Sequence, residues 1–394
     1  MLENYRHNHK GWYVVGDQKF TNKIEAYYEL NRIIRTTNTV HDIHWDYHDD
    51  IFDKVVWTAE PPININEIYK NRALQIREQY DHVVLFYSGG VDSETMLNAF
   101  VDNNIRFDEI FIYGAFNIEH GALQKFGYSR EPGYYTREYY LHVEPRLKEL
   151  QKTHNFKITV WDWGDKIIET LDTNPDWFMD VGTRMAPDAI PRKFIHEVFR
   201  HNDVYEEKGK TAAFVYGVDK PRLFRDDTDI YFSFIDMQMT TGVGNSADIN
   251  KKTWENDEFF YWTPNMPELV VKQAHLIYNY LKRTNGFHRL THKDQLAGFH
   301  LPEYYDMVHP IIYPKWDNRW QIKKPTSPVR DETGGWLFTH APEKTQQRWW
   351  DGLIELERQL GHRWFNNNTV YDGLIGCYSK FYKIGPITSD FIAP

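Results

Sequence analysis

A short apolar run, His82-Val-Val-Leu-Phe-Tyr87, breaks into the turn Ser88-Gly-Gly-Val-Asp-Ser93 and continues into a helical pattern. An apolar run of this length, bounded by turn residues, suits a parallel strand buried on both faces. Parallel neighbours cannot be joined by hairpins and need crossover connections, usually helices. The segment therefore commits the chain to α/β architecture.

The surrounding sequence repeats the alternation. Asn66–Tyr80 reads as a helix leading into the run, and Ser93–Asp102 as the helix that follows it. Glu109–Tyr113, Phe156–Trp163 and Thr211–Tyr216 read as further strands, followed by Ile230–Ile235. Tyr134–His154 and Lys193–Arg200 read as helices between them. Strands alternating with helices predict a parallel sheet with helices on both faces. Ligands of such sheets sit at the carboxyl ends of the strands. That rule selects the turns after Tyr87, Tyr113 and Tyr216. Residues 1–65 read as a small N-terminal α+β unit, with strand-like Trp12–Val15 and Ile43–Tyr47 flanking a helix at Lys23–Arg35. Residues 246–394 read as a mostly helical region, with helices at Pro267–Arg283 and Glu343–Leu360.

The turn after the first central strand carries the chemistry. Gly89 and Gly90 allow a sharp bend and close approach of backbone to a ligand. Successive N–H groups then form an anion nest, and the following helix adds its positive dipole end. Ser88 and Ser93 supply hydroxyl donors, and Val91 opens the helix. Asp92 is the exception, because a carboxylate repels phosphate unless Mg²⁺ lies between them. Such a turn suits a pyrophosphate with its metal. The Gly-Lys-Ser/Thr ending of the mononucleotide P-loop is missing, which excludes a kinase- or GTPase-type site.

FYSGGVDSE resembles the PP-loop of the N-type ATP pyrophosphatases, a superfamily that includes asparagine synthetase, GMP synthetase and tRNA-thiolating enzymes. The resemblance covers Asp81–Phe234. It implies an adenine nucleotide alpha-hydrolase-like (HUP-type) fold over residues 66–245, with ATP bound through Ser88, Gly89, Gly90, Val91, Asp92 and Ser93. The turn Tyr216-Gly-Val-Asp-Lys-Pro-Arg222 matches the family's second, metal-binding turn. By that resemblance Asp219 pairs with Asp92 around Mg²⁺, and Lys220 and Arg222 neutralise departing pyrophosphate. The family's turn is acidic where this one is basic. The resemblance also places adenine and ribose at Tyr113, Gly114 and Phe116. Chemically it implies attack of an acceptor oxygen on the α-phosphorus, loss of pyrophosphate, and displacement of AMP by a second nucleophile.

Composition narrows the choice of nucleophile and acceptor. The only cysteine is Cys377, so the chain cannot supply the cysteine pair or thiolate cluster that thiolating relatives commonly use. Position 2 is Leu2, so the glutaminase cysteine of asparagine synthetase has no counterpart. The expectation is amidation or ligation of a small molecule or nucleobase derivative, with ammonia or sulfur brought by a partner if needed. PAPS reductase uses a C-terminal cysteine, but in a Glu-Cys-Gly setting, whereas Cys377 lies between Gly376 and Tyr378 and reads as inert. A net charge of −10 disfavours a protein built mainly to coat RNA or DNA. Two alternatives stand beside the ligase. One is a nucleic-acid-modifying enzyme, suggested by the basic, tryptophan-rich stretch at 313–324. The other is a non-catalytic ATP or AMP sensor. Aromatic residues reach 16%, which suits an aromatic core. His41, His44 and His48 among aspartates invite a metal site, although a solvated strand face reads the same way. No apolar stretch is long enough for a membrane span, and the expected compartment is the cytoplasm.

Overall fold

A computed structural model of the chain describes residues 11–38, 42–114, 139–180, 187–195, 198, 210–236, 255–295, 302–317, 337 and 341–387. The N-terminal unit contains β1 (Trp12–Val15), β2 (Gln18–Phe20), α1 (Lys23–Thr37) and β3 (His44–Asp46), with antiparallel strand order β2-β1-β3. Alternation in β1 buries Tyr13 and Val15 toward the core that also takes Ile24, Tyr27 and Leu30 of α1. The helix begins where it does because the Asn22 side chain accepts from the amides of Ile24 and Glu25. It stops at Asn38, whose φ of 52° is left-handed.

After the short α2 (Asp49–Phe52) the chain enters the α/β unit. This comprises α3 (Ile65–Gln79), β4 (His82–Phe86), α4 (Val91–Val101), β5 (Glu109–Gly114), α5 (Glu144–Leu150), β6 (Lys157–Asp162), α6 (Gly164–Thr173) and β7 (Ala212–Tyr216). Then come β8 (Leu223–Arg225), β9 (Asp229–Phe232), β10 (Glu255–Phe259), α7 (Pro267–Arg283), α8 (Pro302–Ile312), α9 (Glu343–Leu360) and β11 (Tyr382–Pro386). The central sheet has five parallel strands in the order β10-β7-β4-β5-β6. Every residue of β7 is buried, so both faces of the sheet are covered there. None of the described helices is long and apolar enough to cross a membrane.

The strand pattern differs from the sequence expectation in two places. Asp229–Phe232 does not extend the central sheet; it pairs antiparallel with β8 and with the C-terminal β11. The outer strand beside β7 is instead Glu255–Phe259, within the stretch read as mostly helical. Its sequence Glu-Asn-Asp-Glu-Phe has no apolar periodicity, yet Asn256, Asp257 and Glu258 are buried. A partner from α3 explains Glu258. The Arg72 guanidinium lies 2.6 Å from its carboxylate and also donates to the Phe259 carbonyl, while the Tyr80 hydroxyl donates to the other oxygen. Pro145 also alters the long helix expected at Tyr134–His154. From residue 139 the chain runs as one π-turn, Tyr139–Val143, and α5 starts with the proline in its first turn.

The N-terminal unit is locked to the rest by a second buried ion pair. Lys23 Nζ lies 2.7 Å from Asp236 Oδ2, and both side chains are wholly buried. Asp236 also accepts from the Tyr13 hydroxyl at 2.9 Å and from the Cys377 amide at 2.8 Å. One carboxylate thus ties the N-terminal sheet, the segment after β9 and the C-terminal segment together. Around it, Trp57 stacks on Tyr382 at 4.5 Å and on Phe232 at 5.1 Å, and Phe234 packs on Phe52 at 4.5 Å. Trp349 of α9 stacks on Trp177 at 4.0 Å. Many of the chain's aromatic residues therefore serve the core.

Removing one partner of a buried pair leaves an uncompensated charge, which costs about 3–5 kcal/mol. Lys23→Met is expected to lower the urea midpoint by that equivalent. Lys23→Met combined with Asp236→Leu should recover part of the loss, because no lone charge then remains. Chemical denaturation followed by tryptophan fluorescence checks both.

Candidate functional site

The chain leaves β4 toward β5 and β6 on one side, then returns to place β7 and β10 on the other. The order therefore reverses between β4 and β7. At such a switch point the two following loops diverge and open a crevice at the carboxyl ends of the strands. The residues there are Ser88–Ser93, after β4, and Gly217–Lys220, after β7. Phe86 and Tyr216 are register partners, so the two turns start side by side. They also touch. A Cβ on Gly217 would lie 3.0 Å from the Asp92 carbonyl oxygen and 3.0 Å from the Ser93 Cα. Only glycine lets the second turn press this closely on the start of α4.

Within the first turn, Gly89 has a φ of +77°, a conformation that favours glycine. Gly90 is the N-cap of α4 and offers no side chain to its first amides. Those N–H groups have no intrahelical acceptor, which is the condition for an anion site at a helix start. Hydroxyls hold the loop's shape. Ser93 Oγ donates to the Gly90 carbonyl at 3.0 Å and lies 3.2 Å from Ser88 Oγ, and the Gly90 amide donates to Ser88 Oγ at 3.3 Å. Behind the loop, Tyr87 donates to Glu94 at 2.6 Å, and Arg146 of α5 binds Glu94 and Asn98.

Lys220 sits between the two aspartates. Its Nζ is 2.7 Å from Asp92 Oδ2 and 3.7 Å from Asp219 Oδ1. Unit charges about 4 Å apart interact by about 4 kcal/mol at an effective dielectric near 20. The helix dipole contributes only about 0.3–1 kcal/mol to a carboxylate in the first turn. Lys220, rather than the helix, therefore decides the state of Asp92. Burial pushes the Asp92 carboxyl up, but Lys220 and His309, with hydrogen bonds from Lys220 and Tyr313, outweigh it and hold the pKa below the usual carboxylate range. Burial likewise acts to lower Lys220, and the two aspartates more than reverse it, leaving its pKa raised. Arg222 is only 2% exposed, 3.8 Å from Asp219 Oδ2 and 5.4 Å from the centre of the Tyr305 ring. It holds Asp219 rather than reaching the first turn.

A third wall comes from α8 and the residue after it, which sequence reasoning did not connect with the site. Tyr313 donates to Asp92 Oδ1, and the Tyr305 ring lies 5.1 Å from Lys220 Nζ. His309 lies between them, 6.2 Å from Tyr305 and 5.7 Å from Tyr313. Tyr261, just beyond β10, donates to the Asp92 carbonyl at 2.7 Å. Burial raises the pKa of Tyr305 and of Tyr313, keeping both phenols protonated. The only local hint was the aromatic spacing at 305, 309 and 313.

The other expected residues fall as follows. Tyr113 and Gly114 end β5 beside β6, where Tyr113 packs on Trp163 at 4.6 Å with the Arg192 guanidinium 5.9 Å from the Tyr113 ring centre. Phe116 lies outside the described residues, as do residues 318–324 of the basic, tryptophan-rich stretch. In the described part of that stretch, Lys315 pairs with Asp102 and Trp316 packs on His309. In the N-terminal unit, His44 pairs with Asp49 and Asp46 with Lys19. Cys377 is buried, and burial pushes its thiol up to about 12, so it is not a thiolate nucleophile at neutral pH.

Two carboxylates offer the hard oxygen donors that Mg²⁺ prefers. Asp219 Oδ2 is buried and accepts no hydrogen bond among the described residues, with the Arg222 guanidinium 3.8 Å away as its charge partner. Lys220 already supplies one positive charge at this place, so a divalent ion binding both carboxylates has to displace its ammonium. No family model, no curated protein and no solved structure matches the chain.

Gly217→Ala is expected to destabilise the protein by about 1–3 kcal/mol, because the methyl group meets backbone that must shift. A thermal melt measures this. The Asp92–Lys220 pair has a definite pH signature. Asp92, with its lowered pKa, contributes stability above about pH 4 that is lost as pH falls through its folded value. Lys220, with its raised pKa, contributes below about pH 10 and loses this as pH rises through its folded value. The coupling in an Asp92→Asn/Lys220→Met double-mutant cycle should therefore stay constant across neutral pH and fade only at the acid and alkaline extremes.

Proposed function

We propose that this protein is an ATP pyrophosphatase of the PP-loop type, with a HUP-type α/β unit, that adenylates an oxygen of an acceptor and releases pyrophosphate. The observation that carries this reading is the meeting of Ser88–Ser93 and Gly217–Lys220 at the switch point, with one ammonium shared by Asp92 and Asp219. A nucleotide triphosphate laid across the crevice would set its β- and γ-phosphates against the uncapped amides of α4 and the Ser88 and Ser93 hydroxyls. Mg²⁺ held by Asp92 and Asp219 would offset phosphate charge. Lys220 would then turn from the aspartates toward the departing pyrophosphate, where its charge is most useful as the α–β bond breaks. Arg222 positions Asp219. Tyr113 at the end of β5, backed by the buried Trp163 and with the Arg192 guanidinium 5.9 Å from its ring centre, offers an aromatic and cationic pair suited to adenine.

The chemistry is a substitution at the α-phosphorus. An acceptor oxygen forms the new P–O bond, pyrophosphate leaves with the electron pair, and an amine or ammonia then displaces AMP. The protein's part is alignment and stabilisation of charge. The buried thiol of Cys377 favours nitrogen over a sulfur relay through this chain. A second reading, an ATP or AMP sensor without turnover, is supported by one feature. Both oxygens of Asp92 are already engaged, one by Tyr313 and the other by Lys220.

The deciding assay incubates the protein with ATP, Mg²⁺ and a metabolite extract and separates the nucleotides. AMP and pyrophosphate are expected, abolished by Asp92→Asn and reduced about 10²–10³-fold by Lys220→Ala, the usual loss for one charge-stabilising donor. ADP and phosphate as products would refute the pyrophosphatase reading. ATP binding with no turnover for any acceptor would favour the sensor.

A further inference from the structure

Helix α8 has two working sides. Tyr305 and His309 lie along the side that serves the Asp92 turn, in step with Tyr313. Asp306, Met307, Pro310 and Ile311 line the opposite side, where α8 and α7 bound an open groove of about 980 Å³. Lys282 and Arg283 from the end of α7, and Arg289 from the short 3₁₀ turn Phe287–Arg289, supply three cations to this groove against the single carboxylate of Asp306. Favourable interaction with the α7 dipole accounts for basic residues in its last turn. It does not account for Arg289, which lies beyond the helix and lines the same groove.

Exposed bases of this chain are of two kinds: Arg35, Lys54, Lys70 and Lys344 have no ion pair among the described residues, and others, such as Lys19, Lys315, Arg358 and Lys380, pair with carboxylates. What distinguishes Lys282, Arg283 and Arg289 is that all three line one groove. Lys282, Arg283 and Arg289 have no side-chain hydrogen bond or ion pair among the described residues. In a chain of net charge −10, a groove with three unpaired cations is a local reversal of sign. Tyr280 and Met307 also line it. Cations to follow a phosphate backbone and a ring on which a base can stack are the elements of a single-strand site. A closed small-molecule pocket would instead bury its ligand on most sides.

We propose that this groove binds single-stranded nucleic acid, with Lys282, Arg283 and Arg289 on successive phosphates and Tyr280 against a base. The proposal does not rest on the ATP chemistry.

Fluorescence anisotropy of labelled poly(U) and poly(dT) oligomers with the full chain tests it. Binding is expected, with a slope of log affinity against log salt of about −2, the value for three phosphates on a single strand. Lys282→Glu/Arg283→Glu/Arg289→Glu should weaken it at least ~10-fold and flatten the salt slope. Lys344→Glu, an exposed base elsewhere, should leave it intact. Circular dichroism checks that the triple variant is folded, and Arg289→Ser alone serves if it is not. No binding, or binding indifferent to these charges, overturns the proposal. Equal binding of poly-glutamate overturns it too, in favour of an acidic protein segment. Because the anisotropy assay contains no ATP, failure of the groove and failure of the pyrophosphatase reading are separable.

Discussion

Asp92 and Asp219 bring two negative charges to the ends of neighbouring parallel strands, and Lys220 is the cation that lets them stand together. Without it the turn after β7 could not press against α4, because the contact at Gly217 brings like charges into one crevice. The sharing of one ammonium follows from chain geometry. Lys220 is next to Asp219 in sequence and reaches Asp92 across the switch point. Arg222 and Tyr305 then brace this arrangement from behind.

The same device holds the distant parts of the molecule in place. Lys23–Asp236 ties the N-terminal unit to the C-terminal segment, and Arg72–Glu258 ties α3 to the outer strand of the sheet. In each case a buried charge is matched by one partner and by further hydrogen bonds, the condition under which burial of ions is tolerated. The aromatic residues supply much of the packing area around these fixed points. The third wall of the candidate site also comes from the C-terminal part of the chain, through Tyr305, His309 and Tyr313. That wall separates the phosphate turn from the basic groove on the far side of α8.

Much of the central sheet was legible in sequence because its strands are apolar runs bounded by turn residues. The strands at 82–86, 109–114, 157–162 and 212–216 fall within a residue or two of their expected limits. The helices Pro267–Arg283 and Glu343–Leu360 agree with theirs, since their apolar spacing is regular. Glu255–Phe259 was illegible for a definite reason: its buried residues are acids and an amide, and the burial of Glu258 depends on Arg72, nearly two hundred positions away along the chain. Ile230–Ile235 misled for the opposite reason. It looks like a strand and is partly one, but its apolar pattern does not say which strand it will meet.

The glycines and hydroxyls of Ser88–Ser93 specify an anion-binding turn wherever a strand feeds a helix, because that property is local to the backbone. The pairing of Asp92 with Lys220, the closeness of Gly217 and the arrival of Tyr313 are decided by tertiary structure. Each depends on the sheet order, which places turns more than a hundred residues apart in adjacent positions, as the Lys220–Asp92 bond records. Sequence alone determined which residues could carry charge and turn sharply. The fold decided which of those charges meet, because contact between distant residues is set by topology and not by spacing along the chain.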